Sequence, residues 1–309
     1  MIGAALLAFG IAPTPGLSTP STFSIVAFDP ETGDLGVAVQ SKFPCVGALV
    51  PHARAGVGAV ATQAAANIAW GPRALDLMGE GLEPAAVLER LKAEDPGFEE
   101  RQIGIVDARG RAGTFTGTKC FEWAGGKTGA AFACQGNILA EEGVVDAMAE
   151  SFARSKSRFP ERLVEALAAG QSKGGDRRGM QSAALLVVRA KGGYGGYTDR
   201  WIDLRVDDHA SPIEELARLL RVHRLYFDKP DASTLLPLTA SLVKEIQTSL
   251  SRLGFYRGEF TGEYDDATRD AFSNWCGWEN LEERFRADAK VDPAVLEALR
   301  AAMRAHGGG

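Results

Sequence analysis

The chain has no basic surplus. Lys and Arg number 34 against 40 Asp and Glu, a formal net charge of -6, so the electrostatic footprint of a nucleic-acid binder is absent. Cysteine is sparse: Cys45, Cys120, Cys134 and Cys276 match no metal-ligand spacing. They read as small buried apolar residues. No disulfide framework follows, although an exported chain could form one pair. No metal or other cofactor is expected. His52 and His223 have no partner visible in sequence, which leaves a Ser-His-Asp triad without support. The apolar run Met1–Ala12 is too short to span a bilayer. The glycine-rich Gly174–Gly179 is followed by a strand pattern rather than Gly-Lys-Ser/Thr, which excludes a P-loop.

What is present is an ordinary soluble composition, 45% hydrophobic and 24% charged, in 309 residues. That length allows two domains. The organising stretch is Thr22–Ser41. Phe23, Ile25, Val26 and Phe28, then Val37 and Val39, are strand formers. Between them Asp29-Pro-Glu-Thr-Gly-Asp34 is turn chemistry. If Asp29 pairs opposite Asp34, Thr22 falls opposite Ser41 and beside Lys42. A threonine hydroxyl needs a base to become a nucleophile. If Thr22 were the first residue, its own α-amine, with an ordinary pKa of roughly 8, would serve. Otherwise Thr22 merely opens a strand. Residues 1–21, an apolar run followed by polar, turn-like Pro13–Ser21, resemble a signal or pro-segment. One cut after Ser21 would export the chain and free the Thr22 amine.

Other segments alternate in kind. Strand patterns are expected at Cys45–Val50, Val57–Gln63, Gln102–Val106, Gly113–Thr116, Thr128–Ala133, Ser182–Val188 and Trp201–Val206. Helices are expected at Arg73–Met78, Pro84–Ala93, Gly143–Arg154, Pro160–Ala169 and Pro212–Leu225, with Gly170 placed to stop the fourth. Strands separated by helix pairs give a layered α+β class.

Thr22-Phe-Ser-Ile-Val-Ala, Gly56-Val-Gly-Ala-Val-Ala-Thr-Gln63, Gln135-Gly-Asn137, Gly174-Gly-Asp-Arg-Arg-Gly179 with Gln181-Ser-Ala-Ala, and Asp203-Leu-Arg-Val-Asp-Asp-His209 resemble a bacterial family of unknown function with an N-terminal-nucleophile (Ntn) hydrolase type of fold. The resemblance runs from about Thr22 to Phe227. It implies a four-layer αββα sandwich, two antiparallel sheets between outer helices. It raises the weight of Lys42, which near an N-terminal threonine would keep the amine neutral and steady developing negative charge. Alone, Lys42 reads equally as a solvated charge at a strand end.

Gln63 and Asn137 are uncharged donors suited to an oxyanion hole, or to ordinary loop hydrogen bonding. Arg177 and Arg178 could grip a substrate carboxylate in bidentate fashion; the alternative is a turn network with Asp176. Asp207, Asp208 and His209 are ligand types, but consecutive residues point in alternate directions. Helix capping accounts for the aspartates better than a metal does.

Asp228-Lys-Pro-Asp231 begins a linker at 229–237. Residues 238–309 read as three helices, Leu238–Leu253, Asp266–Trp275 and Pro293–His306. Leu253-Gly-Phe-Tyr256, Gly258 and Asp265-Asp-Ala-Thr-Arg-Asp-Ala-Phe272 resemble a peptidoglycan-binding domain. Phe255, Tyr256 and Trp278 are candidates to stack on sugar rings or to fill a small core. The domain reading is thus 1–21, 22–228, 229–237 and 238–309. The functional reading is an Ntn-type amide hydrolase of the bacterial envelope, acting on a small-molecule or peptide amide, with peptidoglycan as a partner through the last domain. The competing reading is a non-catalytic envelope binding or scaffold protein. Export to the periplasm or surface rests on residues 1–21; the alternative is a cytoplasmic protein. Homo-oligomers are left open.

Overall fold

The computed structural model describes residues 22–306, so the signal-like reading of 1–21 lies outside the described residues. The chain is of mixed α+β class with a helical C-terminal region. It divides into two compact units, Met1–Arg218 and Leu219–Gly309. The division falls inside a helix, Pro212–Phe227, ahead of the linker expected at 229–237.

In the first unit, β1 (Thr22–Phe28) and β2 (Leu35–Ser41) form the hairpin. Its register places Thr22 opposite Ser41 and Phe28 opposite Leu35. The turn sets this register: Asp29 N donates to Asp34 O at 2.9 Å, and the Asp29 carboxylate accepts from Thr32 Oγ1 at 2.6 Å. Next come β3 (Pro51–Arg54) and β4 (Gly58–Ala64), then α1 (Trp70–Gly79) and α2 (Pro84–Glu94). The strands β5 (Arg101–Asp107), β6 (Ala112–Thr116), β7 (Gly125–Gly129) and β8 (Phe132–Asn137) follow. The unit continues with α3 (Gly143–Arg154), α4 (Phe159–Ser172), β9 (Ser182–Val188), β10 (Arg200–Val206) and the start of α5 (Pro212–Phe227).

Two antiparallel sheets result. One has the order β10-β9-β2-β1-β8-β7, and the other β3-β4-β5-β6. Strand alternation decides what each face meets. Val26, Val37 and Val39 of the first sheet meet Ala59, Ala61 and Val106 of the second in one buried cluster. The opposite side of the second sheet offers Val60, Ile103 and Ile105 to Trp70, Leu77 and Leu91 of α1 and α2. Helices α3 and α4 pack on the first sheet, chiefly at β7, β8, β1 and β2. The central strands β1 and β2 are therefore covered on both faces and read as nearly unbroken apolar runs.

Three local expectations are corrected. Cys45–Val50 is not a strand; Cys45 is left-handed (φ 55) and leads into a 3-10 turn at Val46–Ala48. Thr128–Ala133 is the tip of the β7–β8 hairpin, with Ala131 at φ 64. Its first strand is Gly-Gly-Lys-Thr-Gly, whose glycines hide it from propensity. Gly170 lies within α4 rather than ending it. A Cβ there would sit 2.7 Å from Met148 Cγ, so the glycine permits close approach of α3 and α4.

The second unit packs α6 (Ala240–Arg252), α7 (Asp266–Trp278) and α8 (Pro293–His306) around Ile246, Leu250, Phe272, Trp275 and Leu296. A two-residue pairing of β11 (Leu236–Pro237) with β12 (Lys290–Val291) brings the segment before α6 against the segment before α8. Thr239 caps α6 and Asp265 caps α7. Buried Gln247 fixes the Gly254–Gly262 loop, donating to Glu263 O and Thr268 Oγ1 and accepting from Gly262 N.

Candidate active site

Thr22 opens β1 in the middle of the six-stranded sheet, with Ser41 of β2 on one side and Asn137 of β8 on the other. Its hydroxyl lies 3.1 Å from Ser41 Oγ. Both residues face the second sheet, because they share the parity of Val26 and Val39. Below them runs a belt of uncharged side chains. Ser24 Oγ donates to Gln63 Oε1 at 2.5 Å and accepts from Gln135 Nε2 at 2.6 Å. Gln63 Nε2 donates to Thr22 O at 3.1 Å and to Gln102 Oε1 at 2.8 Å. Asn137 Nδ2 donates to the same Gln102 oxygen at 2.9 Å. Gln102 Nε2 is shared among Gly136 O, Thr116 Oγ1 and Gly125 O. These residues, Thr116 and Gly125 apart, are essentially inaccessible to solvent. Among the described residues Gln135 Oε1 has no hydrogen-bond partner; the other amide atoms named here are all bonded.

The belt tests each expected role. Gln63 has two amide hydrogens, and Thr22 O and Gln102 Oε1 take both. It therefore has no donor left for an oxyanion, and its place is to tie β1 to β5. Asn137 differs, because it also lines a cavity. Lys42 does not join the Thr22–Ser41 pair. It follows Ser41, so alternation turns its exposed side chain away, and its ammonium donates to Met180 O at 3.2 Å. Its backbone N donates to Asp176 Oδ2 at 2.8 Å. Asp176 is buried, and it also accepts from Arg178 N at 2.9 Å and pairs with the Arg178 guanidinium at 3.3 Å. The structure thus shows the turn network for Asp176 and Arg178. Arg177 donates to Glu122 O and, through its backbone, to Ile138 O. Asp208 accepts from Gln181 Nε2. Among the described residues no group of His, Cys, Asp and Glu could hold a metal.

The cavity, about 280 Å³, is lined by Ala64, Ala65, Glu100, Lys119, Cys120, Phe121 and Asn137. Its walls are pinned. Arg101 Nη1 donates to Ala65 O at 2.6 Å, and its Nε pairs with Asp95 at 3.0 Å. That ion pair, with hydrogen bonds from Asn67 Nδ2 and Gly97 N, holds the Asp95 carboxyl at about 2 rather than 3.8. Across the cavity, Thr118 and Lys119 are anchored on Glu99, and Ile138 N donates to Phe121 O. Burial pushes the Cys120 thiol up to about 11, which leaves it protonated and unreactive at neutral pH.

Residues 22–216 match the model of a family of unknown function, DUF1028. This chain belongs to the DUF1028 family. The crystal structure of protein SPO2555 from Silicibacter pomeroyi, itself assigned to DUF1028, is 33% identical with a TM-score of 0.61; the match covers 66% of this chain and 89% of that one. Residues 226–299 match the model of a peptidoglycan binding domain. No curated protein matches.

Within the DUF1028 unit, sequence reasoning missed Ser24, Gln102 and the side-chain role of Gln135. The available signal was one of face. Ser24 shares the inward face of β1 with Thr22 and Val26, and Gln40, Gln63, Gln102 and Gln135 put one fully buried glutamine in each of four strands. Gln40 lies on the helix-facing side of β2, and neither of its amide atoms has a hydrogen-bond partner.

In the peptidoglycan-binding unit the three candidate aromatics separate. Tyr256 is buried and its hydroxyl donates to Glu259 O. Phe255 is partly buried. Trp278 is 76% exposed and meets Phe255 edge-on at 6.3 Å.

Proposed function

We propose that the DUF1028 unit is an N-terminal-nucleophile amide hydrolase with Thr22 as nucleophile. Two sheets face to face, with one helix pair on each outer side, support reading the fold as the αββα arrangement of that class. One observation carries the chemistry. Among the described residues the side chains hydrogen-bonded around Thr22 are uncharged, so the base for its hydroxyl is the α-amine that a cut before Thr22 would create. Thr22 attacks the amide carbonyl, the amine takes the hydroxyl proton and passes it to the leaving nitrogen, and water then hydrolyses the acyl-threonine ester. Asn137 is the side-chain donor for the oxyanion, and Ser41 orients the Thr22 hydroxyl. The C-terminal unit holds the enzyme at peptidoglycan, which places it in the cell envelope.

A second reading follows from the same belt. Without a cut, Thr22 has no base, and the protein is an envelope binding protein built on an enzyme-like fold. Intact mass and N-terminal sequencing of protein from its host separate the two. A chain starting at Thr22, with hydrolysis of an amide panel that Thr22→Ala reduces at least ~10³-fold, supports the enzyme. A chain retaining Ser21, or full activity in Thr22→Ala, overturns it.

A further inference from the structure

The cavity lined by Asn137 is small. At about 280 Å³ it sits below the usual range for ligand sites, roughly 300–1,000 Å³, and fits one residue-sized group rather than a polymer. Small side chains, Ala64 and Ala65, form one wall. The facing wall presents Phe121, which is 59% exposed, and Lys119. Of the two charged residues lining it, Glu100 lies 3.9 Å from the Arg101 guanidinium. The Lys119 ammonium makes no hydrogen bond or ion pair among the described residues. Lys119 therefore keeps its ammonium donors for a ligand, and Glu100 is the group of opposite sign that a bound carboxylate must avoid. Asn137, another of its lining residues, is the cross-strand neighbour of Thr22.

We infer that this cavity is the acyl-binding subsite, and that it selects a compact acyl group carrying its own carboxylate, paired with Lys119. Phe121 and the two alanines cover the aliphatic stem of that group, and Asn137 marks the end at which the scissile carbonyl reaches Thr22. This rests on the hydrolase reading for its role but not for its binding. A lysine provides a point charge without a fixed fork, so the carboxylate is recognised by sign and reach, and short dicarboxylic monoamides of slightly different length are all accepted.

The test is titration calorimetry of glutarate, glutaramate and the neutral control butyramide. It uses the full chain and the form recovered from the host, each with Thr22→Ala to prevent turnover. Glutarate and glutaramate are expected to bind and butyramide to bind at least tenfold more weakly. Lys119→Ala should weaken the carboxylates at least tenfold, Lys119→Arg should restore most of the affinity, and Lys119→Glu should abolish it. Ala65→Leu fills the cavity with the lysine kept, and should also abolish binding; thermal melts verify that each variant is folded. Equal affinity for butyramide, binding indifferent to Lys119→Glu, or no carboxylate binding by either form overturns the subsite. Carboxylate binding that depends on Lys119 in a protein with no amide hydrolysis keeps the subsite and defeats only the hydrolase.

Discussion

The β1–β2 hairpin ends in two different chemistries. At its turn, Asp34 is buried and held by Arg189 through two bonds of 2.8 and 2.6 Å, with the guanidinium lying 3.7 Å above the Trp201 ring. At its open end, Thr22 meets among the described residues a hydroxyl and an amide, Ser41 Oγ and Gln63 Nε2. The turn end uses full charge, which clamps β2 to β9 and tolerates partial exposure. The open end excludes charge from the hydroxyl. A carboxylate there would raise the pKa of a nearby amine and keep it protonated, so neutral donors suit the α-amine base of the proposed mechanism. One hairpin thus carries a charged anchor at one end and, in the proposed mechanism, the reacting hydroxyl at the other.

Substitutions sharpen that contrast. Gln102→Leu should have the largest effect on stability, since it strands the amides of Gln63 and Asn137 together. A loss of about 3 kcal/mol is expected in urea unfolding, and a loss below about 1 kcal/mol would show that the belt is not a cooperative network. Arg189→Ala, at the charged end, leaves the buried Asp34 carboxylate unpaired. The expected loss is about 2 kcal/mol, smaller than for a fully buried pair because Arg189 is partly exposed, with any hydrolysis unchanged. Gln40→Leu should go the other way and stabilise by about 1 kcal/mol, because its amide is buried without partners; a destabilised variant would mean that its amide is paired in solution. The smallest effect is in acid. Asp95, beside the open end, has its carboxyl lowered from 3.8 to about 2, chiefly by Arg101. Its contribution is complete above the ordinary value and disappears as pH falls through about 2. Asp95→Asn should flatten that part of the stability–pH curve between pH 5 and 2.

The hairpin register was legible because turn chemistry and strand propensity agree from Phe23 to Val39, and parity then brought Ser41 to Thr22. The same parity argument, carried one residue further, would have turned Lys42 away. The β7–β8 hairpin was illegible for the opposite reason, since Gly125, Gly126 and Gly129 carry no side-chain pattern. The belt lay beyond reach in another sense. Gln63 and Gln102 are distant in sequence from Gln135 and Ser24, and only the facing of two sheets makes them neighbours. Gly104 shows how closely: a Cβ there would lie 2.0 Å from Gln135 Oε1. In the C-terminal unit, local patterning gave the helices, but which aromatic remained outside was a matter of packing.

The position of Thr22 also governs how the protein should be handled. In most domains a chain end is a fringe to which tags and fusions can be added without consequence. Here the strand that begins at Thr22 has a paired neighbour on each side, and in the proposed mechanism a residue left ahead of Thr22 by a protease scar would remove the α-amine base. Affinity handles therefore belong after Gly309, and any recombinant preparation should be judged by its first residue before its activity is judged at all.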